Sequence, residues 1–212
     1  MKIIPFDNGI YGAITYLVYD EKSKEGVIID CTSYPKQLKE EIEKNNVNIK
    51  YILITHGHFD HVYCLNQIKT KFPNALIMMN KNDLSLLNTL ETQCAMAGVE
   101  NVNLPCIDGL LDENSQNLKI GEYSIKIIHT PGHSKGGMCY LIGDNLFSGD
   151  TLFRVSIGRC DLMGGSLQEI EKSIIEKLFE LDENIKVYPG HGESTTIGYE
   201  KKYNPYFGLN YR

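Results

Sequence analysis

Thr55-His56-Gly57-His58-Phe59-Asp60-His61 places three imidazoles and a carboxylate within six consecutive positions, His56 to His61. It follows an apolar run, Tyr51-Ile52-Leu53-Ile54, that reads as a buried strand. Side chains two apart on an extended segment point the same way, so His56 and His58 can reach one ion. A turn into a helix would swing Asp60 and His61 toward a neighbouring point. The cluster therefore offers ligands for two metals rather than one. A bare His-x-His pair means little, whereas His-x-His-x-Asp-His at a strand end is a far stronger metal signal.

The chain has six histidines, and the other three test this reading. His133 lies in Thr130-Pro131-Gly132-His133-Ser134, after the alternating run Tyr123-Ser124-Ile125-Lys126-Ile127. His191 lies in Tyr188-Pro189-Gly190-His191-Gly192, after Ile185-Lys186-Val187. Both stand where a strand breaks into a Pro-Gly turn. Asp150, in Phe147-Ser148-Gly149-Asp150-Thr151, is placed alike. Four strands thus end in a potential ligand beside a glycine, at sheet ends where loops converge and small residues let the backbone approach an ion. One turn histidine alone would be an ordinary surface residue; the repetition points to coordination. His129 has only its neighbour His133 in its favour and reads as structural, or as a partner to a ligand.

These residues resemble the metallo-β-lactamase fold superfamily, and the likeness runs over nearly the whole chain. Within that group the chain is similar to short, single-domain glyoxalase II-like proteins, through Thr130-Pro131-Gly132-His133-Ser134, Ser148-Gly149-Asp150-Thr151-Leu152-Phe153 and Ser156-Ile157-Gly158-Arg159-Cys160-Asp161-Leu162. The resemblance implies a four-layer αβ/βα sandwich of the α/β class, with the metal site at one edge between two sheets. It implies one metal on His56, His58 and His133, a second on Asp60, His61 and His191, and Asp150 bridging them. It also implies one domain over 1–212, without the C-terminal helical domain with which longer members help bind glutathione. Recognition of glutathione is therefore expected to be weak.

Composition agrees with a single cytoplasmic enzyme. The 212 residues are 42% hydrophobic with a net charge of −6 and no long basic or acidic block, so no nucleic-acid partner is expected. The start, Met1-Lys2-Ile3-Ile4-Pro5-Phe6-Asp7, lacks the apolar run of a signal peptide, and no segment has the length of a membrane span. Cys31, Cys64, Cys94, Cys106, Cys139 and Cys160 form no Cys-x-x-Cys pair and read as reduced thiols, most of them buried. Cys64 follows the histidine cluster but reads as core. Cys160 is a weaker nucleophile than a water between two metals.

Periodicity predicts a hairpin of strands 15–19 and 26–30, a helix over 35–44, a strand over 49–54 and a helix over 60–71. A strand over 75–79 precedes a segment, 81–99, that is helical in pieces. Strands over 118–120 and 123–128 come next, then a hairpin of 138–142 and 146–147. A last clear helix covers 167–181, with Ser166 and Glu169 as a capping box and an apolar stripe of Leu167, Ile170, Ile174, Leu178 and Leu181. Tyr199, Tyr203, Tyr206, Phe207 and Tyr211 are expected to pack the chain end onto the body. This pattern alone fits both a doubly wound sheet and a sandwich; the resemblance selects the sandwich.

Histidine nitrogen and carboxylate oxygen suit two divalent ions, zinc first, with iron or manganese as alternatives. Two ions about 3.5–4 Å apart share one water and lower its pKa, so that hydroxide attacks a carbonyl carbon. Asp60 is the catalytic candidate, both holding metal and orienting the hydroxide. Asp30 reads either as a partner to a ligand histidine or as a turn acid closing a strand. Arg159 reads first as an ion pair with Asp161, and otherwise as a contact to an anionic substrate. The resulting expectation is a metallohydrolase acting on a small acyl-thiol, a thioester of the hydroxyacylglutathione type. The alternatives are a persulfide dioxygenase with a single iron on His56, His133 and Asp150, and a lactone or β-lactam hydrolase. A purely structural metal site fits poorly, since such sites are closed, tetrahedral and often built from cysteine.

Overall fold

The computed structural model describes residues 1–104 and 106–211, the side chain of Tyr211 excepted. Two six-stranded sheets form its centre. The first runs in the order β1 (Lys2–Phe6), β2 (Thr15–Tyr19), β3 (Glu25–Ile29), β4 (Asn48–Leu53), β5 (Leu76–Asn80) and β6 (Gly109–Leu111). The β1–β2–β3 part is antiparallel, and β3 to β6 pair in parallel. The second sheet takes β7 (Leu118–Ile120), β8 (Tyr123–His129), β9 (Met138–Ile142), β10 (Asn145–Gly149), β13 (Lys186–Pro189) and β14 (Thr195–Thr196), in the order β14-β13-β10-β9-β8-β7. A small ribbon of β11 (Leu152–Phe153) and β12 (Ser156–Ile157) stands apart. Because β8 to β10 is a meander and β10 pairs β13 in parallel, β8, β10 and β13 run the same way. Their C-terminal ends reach one edge of the sandwich.

Alternation along the strands builds the layers. In the first sheet Leu17, Tyr19 and Ile28 face outward onto α1 (Lys36–Asn45), α3 (Leu65–Lys71) and α5 (Leu90–Ala97), through Leu38, Ile42, Leu65, Ile68, Leu90 and Cys94. Their neighbours Tyr16, Val18, Val27 and Ile29 face inward and meet Ile125, Tyr140, Ile142 and Phe147 of the second sheet. The far side of that sheet, with Ile128, Cys139, Leu146 and Val187, is covered by α6 (Leu167–Lys172) and α7 (Ile197–Tyr203). The result is helix, sheet, sheet, helix, with both sheets buried on two faces. Two tyrosines tie the layers at the functional edge: Tyr140 Oη donates to the Ile54 carbonyl at 2.7 Å and Tyr16 Oη to the Pro189 carbonyl at 2.6 Å. No helix among the described residues is long and apolar enough to cross a membrane.

Several expected elements differ. The helix expected over 60–71 is two, α2 (Phe59–Val62) and α3. The Cys31 peptide wedges between them: Cys31 N–H donates to the His61 carbonyl at 2.7 Å, and Cys64 N–H to the Cys31 carbonyl at 2.8 Å. The helix expected over 167–181 is α-helical only to Lys172 and widens to a π turn over Ser173–Leu178, where Ser173 Oγ donates to the Pro131 carbonyl. Leu167 is exposed, so the apolar stripe starts at Ile170. The capping box is half made: Ser166 Oγ accepts from Glu169 N–H, but Ser166 N–H donates to the Gly132 carbonyl instead. The tail forms α7, and Tyr199, Tyr203 and Tyr206 stay exposed while Phe207 is buried; the Tyr211 side chain lies outside the described residues. Strands β1, β6, β11, β12 and β14 are too short or too interrupted to show a period of two. Pro5 in β1 is accommodated because β1 is an edge strand.

Candidate metal centre

Four strand ends deliver the donors to the functional edge. Leaving β4, the chain passes Thr55 and His56 and turns into α2 at Phe59, which carries Asp60 and His61 round beside His56 and His58. His133 follows β8, Asp150 follows β10 and His191 follows β13. His56, His58 and His133 form one group, Asp60, His61 and His191 another, and His56, His61 and Asp150 a third; within each, the donor atoms lie within 4.8 Å of one another. Asp150 spans both sides, with Oδ1 3.3 Å from His61 Nε2 and Oδ2 3.6 Å from both His133 Nε2 and His191 Nε2. His129 stays out: its Nε2 reaches the Lys135 carbonyl at 3.0 Å.

The surroundings orient the rings. His133 Nδ1 donates to the Arg159 carbonyl at 2.8 Å, and His191 Nδ1 to the Tyr11 carbonyl at 3.2 Å. His61 Nδ1 donates to Asp30 Oδ2 at 2.8 Å. Thr55 Oγ1 donates to the same carboxylate, which leaves the Thr55 oxygen to accept from His56 Nδ1 at 3.0 Å. Four imidazoles therefore hold Nδ1 outward and aim Nε2 at the common space, while His58 brings Nδ1 to 2.9 Å from His133 Nε2. Asp30 also takes the Thr55 N–H at 2.8 Å, so one acid fixes two ligand histidines, directly and through Thr55. Asp30 is thus a partner to histidines of the cluster rather than a simple turn acid.

Two glycines make the approach feasible. Gly132 has φ +136°, and a Cβ there would strike the Ile170 backbone, so α6 rests on the turn that carries His133. A Cβ on Gly190 would collide with Asp150 Oδ1 and His61 Cε1.

The charge pattern fits cations. Burial, reinforced by the other imidazoles, pushes His56 well below the ordinary histidine range; burial and His133 bring His58 down to about 4. Burial opposes charge on His61 too, but Asp150, Asp30 and Asp60 outweigh it and hold its pKa well above normal. Burial would raise Asp150, yet His61, His133 and His191 pull it down. The neutral imidazoles of His56 and His58 and the ionised carboxylates of Asp60 and Asp150 thus share one largely buried space, in which the acids draw His61 toward its charged form. His56 Nε2 and Asp150 Oδ1 are buried with no hydrogen-bond partner among the described residues. An orphaned lone pair in such a place is costly unless something positive meets it. The donor set suits two metal ions.

Two supports were invisible in the sequence. Asp83, buried in the segment between β5 and α4 (Leu84–Leu87), accepts from Gly57 N–H at 3.0 Å, Ser134 Oγ at 2.7 Å and Gly136 N–H at 2.6 Å. It clamps the His56–His61 loop of one sheet to the His133 loop of the other. The carbonyls of Tyr11 and Arg159 act through the backbone and leave no trace in side-chain chemistry. The Arg159 side chain pairs with Asp161, Nε and Nη2 each 2.7 Å from a carboxylate oxygen, at the rim of the groove above the cluster. Cys64 is buried as expected, and Cys160 is half-buried.

Comparison with known proteins places this arrangement. The metallo-beta-lactamase superfamily model matches residues 11–191. Hydroxyacylglutathione hydrolase GloC of Haemophilus influenzae is 34% identical over 192 residues, 90% of each chain. The structure of BLEG-1 B3 metallo-beta-lactamase gives a TM-score of 0.88 at 32% identity, over 97% of this chain and 99% of that one. TTHA1623 in its di-iron-bound form gives 0.85 at 30%, over 96% and 100%. The match begins at the residue whose carbonyl orients His191 and ends at His191 itself, so it takes in every donor and every strand of the two sheets but β1 and β14: the chain belongs to the metallo-beta-lactamase superfamily.

Proposed function

We propose that this protein hydrolyses a thioester of the hydroxyacylglutathione type, a small acyl-thiol, with two divalent ions, zinc first and iron or manganese after it. His56, His58 and His133 would hold one ion and Asp60, His61 and His191 the other, with Asp150 reaching both. One observation carries the reading: seven oxygen and nitrogen donors converge across the two sheets beneath an open groove. The likeness to GloC supports the thioester. Bound there, the ions supply Lewis acidity and an acidified water.

The chain's own groups set up the rest. Asp30, Thr55 and the carbonyls of Tyr11 and Arg159 fix which imidazole nitrogen faces inward. Burial opposes ionisation of Asp60, but His61 and His191 hold its pKa below normal, so it stays a carboxylate that orients the attacking water. The water oxygen bonds to the carbonyl carbon, the carbon–sulfur bond breaks, and the thiolate departs while the acid product and a proton are released.

Elemental analysis of the full chain, paired with a thioester, lactone and persulfide panel, tests the reading. Two ions per chain and fastest turnover of thioesters are expected. One iron per chain with oxygen uptake on a persulfide would replace it with the dioxygenase chemistry of a site on His56, His133 and Asp150.

A further inference from the structure

The groove above the cluster, about 600 Å³, has His58, Asp60, His133, Asp150 and His191 on its floor. Its walls are Tyr11, Phe59, Leu86, Met96, Leu162 and Met163. Three of these are strongly exposed for their type: Met96 at 85%, Tyr11 at 68% and Met163 at 58%. Exposed apolar side chains gathered around one concavity mark a surface that something apolar covers. Of the neutral polar wall residues Thr89, Thr92 and Gln93, Thr89 and Gln93 are committed inward and Thr92 is exposed. Gln93 Oε1 accepts from Phe59 N–H, Gln93 Nε2 donates to the Leu86 carbonyl, and Thr89 Oγ1 donates to the same carbonyl. Among the described lining residues Arg159 is the one lysine or arginine, and Asp161 already holds it through two hydrogen bonds. A charged tripeptide thiol would find no uncommitted cation on these walls. An apolar chain would find wall on both sides and the donor cluster at its end.

We infer that the groove receives an uncharged, apolar chain of the thioester, so that the preferred substrate is an alkyl or aryl thioester rather than a glutathione conjugate. The inference rests on the thioester chemistry of the reading above and replaces its glutathione portion with an apolar one. The flexible, polarisable side chains of Met96 and Met163 adapt to chains of different shape. Because the groove is continuous with the cluster, its occupant is the molecule that reacts there, not a separate protein.

The test uses the metal-loaded full chain and two sets of neutral thioesters. One lengthens the acyl group from acetyl to decanoyl on N-acetylcysteamine, and the other lengthens the thiol on an acetyl group. In one of them kcat/KM should climb roughly three- to fourfold per methylene until the groove is full; which one climbs identifies the side of the sulfur that lies in the groove. S-Lactoylglutathione should show a KM of roughly 1 mM or more, the upper end of the usual range. An uncleavable thioether, S-octyl-N-acetylcysteamine, should bind by calorimetry with a negative heat-capacity change. In the double variant Met96→Asp, Met163→Asp the dependence on length should flatten and thioether binding should weaken at least tenfold. Turnover indifferent to length, or a micromolar KM for S-lactoylglutathione, would overturn the inference while leaving thioester hydrolysis standing. Thioether binding without turnover of any thioester would instead defeat the reaction and keep the apolar groove. Neither binding nor turnover would overturn both.

Discussion

Asp150 touches both sides of the cluster, so its loss cannot be confined to one ion. Asp150→Ala should strip both metals, read as ions per chain after gel filtration, whereas His129→Ala should leave metal content unchanged because its ring only meets a carbonyl at the surface. Protons should distinguish the two sides. A ligand imidazole must be neutral; His61 is held protonated in the metal-free protein by three carboxylates, while His56 and His58 are already neutral near pH 7. Filling the Asp60–His61–His191 side should therefore release protons and weaken as pH falls below the raised pKa values of His61 and His191, with the His56–His58–His133 side less affected. Calorimetric metal titrations in buffers of different ionisation enthalpy would count those protons; equal release from both steps would contradict the assignment. The seven donors could be picked out in the sequence because they follow strand ends, most of them beside a glycine, whereas Asp30 stood equally as a histidine partner or as a turn acid. Thr55 was visible but had no evident role until its hydroxyl was seen between Asp30 and His56. The Tyr11 and Arg159 carbonyls were hidden because every residue has one.

Each ligand loop is held by an element behind it. Asp83 binds three donors from two loops, and an amide in its place would set an N–H against another N–H or hydroxyl donor. Asp83→Asn should cost about 1–3 kcal/mol in urea unfolding and should also speed metal loss to a chelator, since the clamp joins the His56–His61 and His133 loops. A stability loss with unchanged metal off-rate would confine Asp83 to the fold. The strands and helices long enough to show their periods were readable, α1 and β8 among them. The break between α2 and α3 was not, because it comes from a peptide thirty residues upstream competing for the same hydrogen bonds. Nor was the π turn after α6, which forms where Ser173 reaches Pro131. In both cases a long-range contact overrides a local preference.

Across the whole molecule, the layer between the sheets decides stability. Leu53, fully buried at its edge beside the cluster, should cost about 2–5 kcal/mol when replaced by alanine, measured by denaturant midpoint on the metal-free protein. A loss under about 1 kcal/mol would mean that the layer collapses around the gap. This layer explains why periodicity could not choose between a sandwich and a doubly wound sheet. Strands buried on both faces read as apolar runs in either architecture, and the choice came from the family resemblance. Each set of donors draws on both sheets, and this has a consequence for biosynthesis. A ribosome delivers His61 130 residues before His191. The His56–His58–His133 group needs residue 133 and the Asp60–His61–His191 group residue 191, so the two become complete at different points of translation. The Asp60–His61–His191 group is thus the later of the two to be completed as the chain is made.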